Sequence, residues 1–205
     1  MGNRLGSNFM FNLIAPVYGL FYKNQKRVYS RDLILLSKLL DITSYNNILD
    51  VGCGTGALSS VLNNMGVSVT GVEPAKRMLN VASSKKENAN ITFISVNKEK
   101  PLPFDDKSFD LSIASYVAHG MKLDERKKLY LEMSRVSKDF VILYDYNDKR
   151  AFVTSIVERL ERGDYFNFIK NVKKELNQYF KSFEEIKLSN QASWYICVPL
   201  VTKTK

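Results

Sequence analysis

The segment NNILDVGCGTG, residues 46–56, decides the fold. A short apolar run, Ile48, Leu49 and Val51 around Asp50, meets glycines at Gly52, Gly54 and Gly56. Such a run reads as a buried strand ending in a turn whose backbone passes close to a ligand. The spacing Gly52-x-Gly54-x-x-Ala57 also satisfies the dinucleotide fingerprint G-x-G-x-x-G/A. Two ligand classes are therefore open here, a pyrophosphate or something carrying the opposite charge.

Outward from this segment the pattern alternates. Residues 56–65 read as a helix ended by Gly66, and 67–72 as a strand. Residues 74–84 read as a helix with Pro74 at an early position, and 91–96 as a strand. Residues 111–115 and 140–144 read as two more strands, around a helix over 124–136 that starts with Asp124 as its cap. Strands alternating with helices predict an α/β, Rossmann-like doubly wound fold with a mostly parallel sheet. Upstream, 27–40 have helical spacing, and 8–22 are rich in aromatics and interrupted by Pro16.

After Tyr146 the rhythm changes. Phe152, Ile156 and Leu160 give one helical stripe; Tyr165, Ile169, Val172, Leu176 and Phe180 give another. Residues 183–188 and 194–201 then read as strands joined by a turn so short that they must be antiparallel. The expected organisation is one domain of 205 residues: a helical lid (1–45), a cofactor-binding core (46–146), a helical cap (147–182) and a terminal β-hairpin (183–205).

Composition narrows the class further. No run of about 18 apolar residues exists, and the opening residues lack a cleavage pattern, so neither a spanning helix nor a signal peptide is expected. Two cysteines without C-x-x-C spacing and a single histidine argue against a metal site and for a reducing cytoplasm. The net charge of +9 sits at the flanks: +5 over residues 1–31, zero over 32–146, +4 over 147–205. A basic rim of this kind attracts acidic substrates, nucleic acid or anionic lipid.

Asp50 bears on the choice of ligand. It lies two residues before the first glycine, where a carboxylate disfavours phosphates and favours an ammonium or sulfonium group. Glu73 closes the next strand, nineteen residues past Gly54, where a carboxylate accepts two hydrogen bonds from a ribose diol. Glu73 supports an adenosine ligand of either kind; Asp50 favours S-adenosylmethionine over NAD.

These residues carry a resemblance. ILDVGCGTG, residues 48–56, resembles the signature loop of class I S-adenosylmethionine-dependent methyltransferases. VEPAKRML (72–79) resembles that family's acidic strand end and following helix, and LPFDDKSFD (102–110) the stretch before the fourth strand in its small-molecule branch. ASYVAH (114–119) resembles the end of that strand. The resemblance implies a seven-stranded sheet with an antiparallel last strand, S-adenosylmethionine as cofactor and S-adenosylhomocysteine as product. It places Asp50, Gly52 and Gly54 on the methionine part, with Ser115 lining that side, and counts Cys53, Thr55 and Gly56 of the loop among the cofactor-binding residues. It places Glu73 on the ribose, with Pro74 beside it, and Met78 on the adenine. Where the family has an Asp for the adenine amino group, this chain reads Val96-Asn97-Lys98, so Asn97 or Lys98 takes that place.

The acceptor side is read from fewer signals. His119, the single histidine, follows the fourth strand and is a candidate general base or acceptor ligand. IAPVY (14–18) resembles the N-terminal segment of ubiquinone/menaquinone-type C-methyltransferases, with Gly19 in place of their Asp; this makes Tyr18 the second catalytic candidate. Tyr22, Tyr116, Phe152 and Tyr165 are candidate pocket residues. No Asn/Asp-Pro-Pro-Tyr and no Pro-Cys follows the fourth strand, which argues against methylation of nucleobases at amino groups or at cytosine C5. The expectation is a methyltransferase acting on a small molecule. An RNA or protein methyltransferase using the basic flanks, and a non-catalytic S-adenosylmethionine-binding protein, are the alternatives.

Overall fold

The computed structural model describes residues 7–148, 164–189 and 191–200, with the side chains of 7–14 and 16–18 outside that description. Seven strands form a mixed sheet in the order β3-β2-β1-β4-β5-β7-β6. They are β1 (Asn47–Val51), β2 (Ser68–Glu73), β3 (Thr92–Ser95), β4 (Phe109–Ser115), β5 (Ser137–Tyr146), β6 (Phe180–Lys187) and β7 (Ala192–Pro199). The helices are α1 (Ser7–Leu36), α2 (Ala57–Asn64), α3 (Lys76–Ser83), α4 (Leu123–Val136) and α5 (Tyr165–Tyr179). The chain divides into two compact units, Met1–Pro103 and Phe104–Lys205.

In the first unit β1, β2 and β3 pair in parallel, with Ile48 opposite Val69 and Gly71 opposite Phe93. Parallel strands are covered on both faces, which explains the near-continuous apolar runs. Helix α2 is buried from Ala57 through Leu62, because α1 packs over it as well as over α3. The sequence suggested an interruption at Pro16, yet α1 is one helix of 30 residues. Proline removes one backbone hydrogen bond and crowds the preceding turn. Burial of Ala15, Tyr22, Leu33 and Leu36 on one side outweighs that local cost.

In the second unit β4 and β5 are parallel, whereas β7 runs antiparallel to both β5 and β6. Strand β6 begins at Phe180, three residues before the hairpin expected from sequence, because α5 ends at Tyr179. The stripe at Phe152, Ile156 and Leu160 lies outside the described residues. Helix α4 buries Arg126, Tyr130, Met133 and Val136 at helical spacing. Its cap is Lys122 and not Asp124: the Glu125 side chain turns back to accept the Lys122 N–H at 2.9 Å. Arg126 is buried with its charge paired, donating to both oxygens of Glu175 at 2.8 and 2.7 Å and to Asp164 at 2.9 Å. Those bonds fasten α5 to α4, and a fourth guanidinium hydrogen bond reaches the Met121 carbonyl.

Candidate functional site

The loop after β1 is held by its own backbone. Gly52 and Cys53 both donate to the Val72 carbonyl, at 2.8 and 3.1 Å, and Gly56 donates to Cys53 at 2.9 Å. Gly52, Gly54 and Gly56 all have positive φ, at 72°, 53° and 75°. The last two glycines serve different ends. A Cβ on Gly56 would stand 2.9 Å from the Phe93 ring and 3.0 Å from Ala82, so packing alone requires glycine there. A Cβ on Gly54 would meet nothing within 4 Å, so there the backbone faces open space, as a ligand cradle requires.

Two carboxylates border this loop. Glu73, 7% exposed, accepts from Gly54 N–H at 3.1 Å and from Ala75 N–H at 2.9 Å. Each oxygen keeps lone-pair capacity for a further donor. Asp50, 1% exposed, takes the Ser59 hydroxyl of α2 at 2.5 Å. Burial pushes its carboxyl from the usual 3.8 up to about 7, with the charge of Glu73 adding to the effect. At neutral pH Asp50 thus carries only part of a charge. The repulsion of phosphate, assigned to Asp50 alone by the sequence, is shared between Asp50 and Glu73. Open space at Gly54 beside two acids fits a cationic donor and disfavours a pyrophosphate.

The remaining expected contacts of this unit lie in different surroundings. The Thr55 hydroxyl reaches Gln25 Oε1 of α1 at 3.4 Å. The Cys53 thiol is buried, and burial drives its pKa far up, so it is no nucleophile. Met78 is buried in a cluster with Ala15 and Ala75, and Pro74 is half-buried. Asn97 and Lys98 are exposed, and Asn97 Oδ1 accepts the Glu99 N–H at 2.9 Å. Tyr22 is not a pocket residue of this unit. It is buried in the packing of α1, its hydroxyl on Asn88 at 3.1 Å and the Lys85 ammonium 4.9 Å from its ring centre. Tyr18 lies on α1, its side chain outside the described residues, and Phe152 lies outside them altogether.

The second unit carries its own polar centre where β4 ends. Ser115, the last residue of the strand, is half-buried and pairs with Tyr144 of β5. Tyr116 then turns the chain at φ 53°, a left-handed conformation that a bulky side chain adopts only under constraint. Its N–H donates to the Tyr144 carbonyl at 2.7 Å. A single 3-10 turn, Ala118–Gly120, follows. Asp145 at the end of β5 organises that turn: one oxygen accepts from the N–H groups of Ala118 and His119, at 3.0 and 3.3 Å. The other lies 2.8 Å from His119 Nδ1 and 2.8 Å from the Tyr146 N–H. Asp145 is 1% exposed and the His119 side chain 13%. The sequence singled out His119 as a candidate but gave no sign of Asp145, its hydrogen-bond partner.

Aromatic rings surround this pair. Tyr146 stands edge-on to His119, with ring centres 4.8 Å apart, and Tyr116 stands 5.2 Å from Tyr146. Tyr165 of α5 is fully buried behind Tyr146 at 5.0 Å, so it backs the cluster and does not face solvent. Tyr144 packs on Tyr116 and stacks on Trp194 of β7.

Parallel strands ending in a glycine loop, an acid on the next strand and an antiparallel terminal strand define a Rossmann-like fold of the class I methyltransferase kind. The methyltransferase-domain family model matches residues 49–144. An uncharacterized methyltransferase of Alkaliphilus oremlandii is 26% identical over 165 residues, 73% of either chain. The demethylmenaquinone methyltransferase of Tropheryma whipplei is 43% identical over 74 residues, 36% of this chain and 30% of that one. The crystal structure of magnesium protoporphyrin IX methyltransferase from Synechocystis with bound S-adenosylhomocysteine superposes with a TM-score of 0.60 at 14% identity. It covers 85% of this chain and 83% of its own. Residues 49–144 thus match a methyltransferase domain, and these relatives and structures support a class I S-adenosylmethionine-dependent methyltransferase. Among the described residues no helix is long and apolar enough to cross a membrane.

Proposed function

We propose that this methyltransferase acts on a small-molecule acceptor. The donor's ribose would be held by Glu73, and its methionine part by Asp50 and the backbone of Gly52 and Gly54. The observation that carries the acceptor reading is His119. It is a polar group only 13% exposed on its side chain, with the mutually packed rings of Tyr116 and Tyr146 beside it. A recessed, ring-walled polar group of this kind suits a compact acceptor better than a duplex or a folded polypeptide. The local similarity to a demethylmenaquinone methyltransferase points the same way. Two buried free thiols fit a reducing, cytoplasmic setting.

The test uses S-adenosylmethionine labelled in its methyl group and a cell extract split into small-molecule, RNA and protein fractions. Label is expected in the small-molecule fraction. Label recovered in RNA or protein would replace this reading with one based on the basic flanks.

A further inference from the structure

We propose that the outer face of α1 is a docking surface for an anionic lipid bilayer, on which the helix lies without crossing it. The inference holds whichever acceptor is methylated. It starts from the two sides of the helix. Ala15, Tyr22, Leu33 and Leu36 are buried on the side where α1 packs over α2 and α3. The opposite side of such a surface helix ordinarily turns charged and polar groups to water. Here it also carries Leu20, Phe21, Ile34 and Leu35, all exposed, and Leu39 is exposed in the turn that follows. Leu20, Phe21, Ile34 and Leu39 each leave more than half of their surface in water. Single exposed leucines are ordinary; several on one helix face mark a contact surface.

Cations are interleaved with these residues. Leu20, Arg27, Arg31, Ile34 and Lys38 follow one another at steps of seven, four, three and four residues, which keeps them in one row. At helical rise the row is about 27 Å long. Lys23 flanks it. Lys23, Arg27 and Lys38 are exposed, and no acid pairs with them among the described residues. Arg31 approaches Asp32 at 2.7 Å, yet its side chain stays 69% exposed. Asp32 is the only acid between Ser7 and Leu40, and it is buried, so the row presents positive charge and apolar surface together.

An anionic bilayer answers both halves of that row. Lysine and arginine stems lie along apolar surface and carry their charged heads to lipid phosphates. The leucine, isoleucine and phenylalanine side chains between them enter the boundary between headgroups and acyl chains. Nucleic acid would answer the cations and leave the aliphatic side chains without a partner. A second copy would answer the apolar residues and set like charge against like across a two-fold pairing. Binding of the proposed kind is reversible and weakens as salt screens the cations.

Co-flotation of the full chain with vesicles tests the surface. The chain is expected to bind phosphatidylcholine vesicles carrying about a third phosphatidylglycerol roughly tenfold or more tighter than phosphatidylcholine alone. Lys23→Gln/Arg27→Gln should weaken that binding about 25-fold, roughly fivefold for each cation lost. Leu20→Ser/Ile34→Ser should weaken it about tenfold or more. Its melting temperature should change little, because both side chains are exposed. Lys174→Gln/Lys181→Gln removes two exposed lysines of the second unit and is the charge-matched control, expected to bind as the parent does. No binding to anionic vesicles, or an equal loss in the control, overturns the proposal. So does full binding by Leu20→Ser/Ile34→Ser, which would reduce the contact to general charge attraction. Retention of single-stranded RNA at low salt by a chain that leaves vesicles unbound would make the row a nucleic-acid surface instead. A dimer in sedimentation that Leu20→Ser/Ile34→Ser dissolves, again without vesicle binding, would make it an interface between copies.

Discussion

The two carboxylates Asp50 and Asp145 occupy like positions in their units, each at or near the carboxyl end of a parallel strand and each 1% exposed. Their partners differ. Asp145 receives three backbone N–H groups and an imidazole. Asp50 is met by Ser59, through its hydroxyl and its backbone N–H, and sits near a second acid, Glu73. The first is held in place by those donors. The second is left close to its titration point, so a ligand charge can change its state. Burial alone therefore does not define a carboxylate's role; the donors around it do.

The largest effect expected is on the frame that holds the His119 turn. Arg126→Met would leave Glu175 and Asp164 without their cation while Glu175 stays buried. Removing one member of a buried ion pair costs about 3–5 kcal/mol. Urea unfolding should register that loss, and a variant as stable as the parent would mean that α5 is held by its apolar face alone.

Asp50→Asn tests the other carboxylate, and here the sign depends on pH. The folded carboxyl, raised from 3.8 to about 7, keeps a proton that the unfolded chain has already released. Stability of the parent therefore falls as pH rises through that window. Asparagine has no such titration. The variant should match the parent below about pH 4 and exceed it above pH 7, by at most about 4 kcal/mol. Thermal melts across pH 4–8 should show the gap opening upward; a gap that opens downward would mean that Asp50 is stabilised as the anion.

The same contrast explains what the sequence disclosed. The glycine loop is contiguous, so its strand, its turn and its ligand class could all be read from eleven residues. His119 stood out as the lone histidine after a strand. Asp145 had no such mark, because it joins His119 only through the β4–β5 register that sets Ser115 opposite Tyr144. An acid at a strand end is ordinarily solvated, and only that pairing brings it inward. Tyr22 was placed in the pocket through the resemblance of its N-terminal segment, but packing of α1 turned its ring inward and gave its hydroxyl to Asn88. Pro16 and Asp124 show local signals yielding to tertiary burial and to Glu125, which caps from the third position.

Two glycines of one loop should separate stability from binding. Gly56→Ala meets Phe93 and Ala82 at 2.9 and 3.0 Å and forces alanine to φ 75°. Crowding and the left-handed cost together should reduce stability by about 2–4 kcal/mol. Gly54→Ala carries the left-handed cost alone, about 1–2 kcal/mol, since its methyl meets no protein atom within 4 Å. Its methyl would instead occupy the cradle, so S-adenosylhomocysteine affinity should fall more than tenfold while folding is nearly kept. Calorimetry beside melting curves checks both. Equal ligand affinity in Gly54→Ala and the parent would place the ligand elsewhere than on this loop.

The smallest expected effect is a fraction of a proton. With its carboxyl near 7, Asp50 is about half protonated at neutral pH. The ammonium of a bound methionine moiety nearby favours the ionised form and drives that proton off. Binding of S-adenosylhomocysteine at pH 7 should therefore release about half a proton, and release should shrink toward pH 8.5, where the carboxyl is already ionised. Binding heats in buffers of different ionisation enthalpy count this proton directly. The Asp50→Asn variant should show none of it. Buffer-independent heats in the parent, or the same release in the variant, would mean that the ligand's charge is met by Glu73 alone, and the two acids of the loop would then have separate tasks: Glu73 to bind, Asp50 only to hold α2 through Ser59.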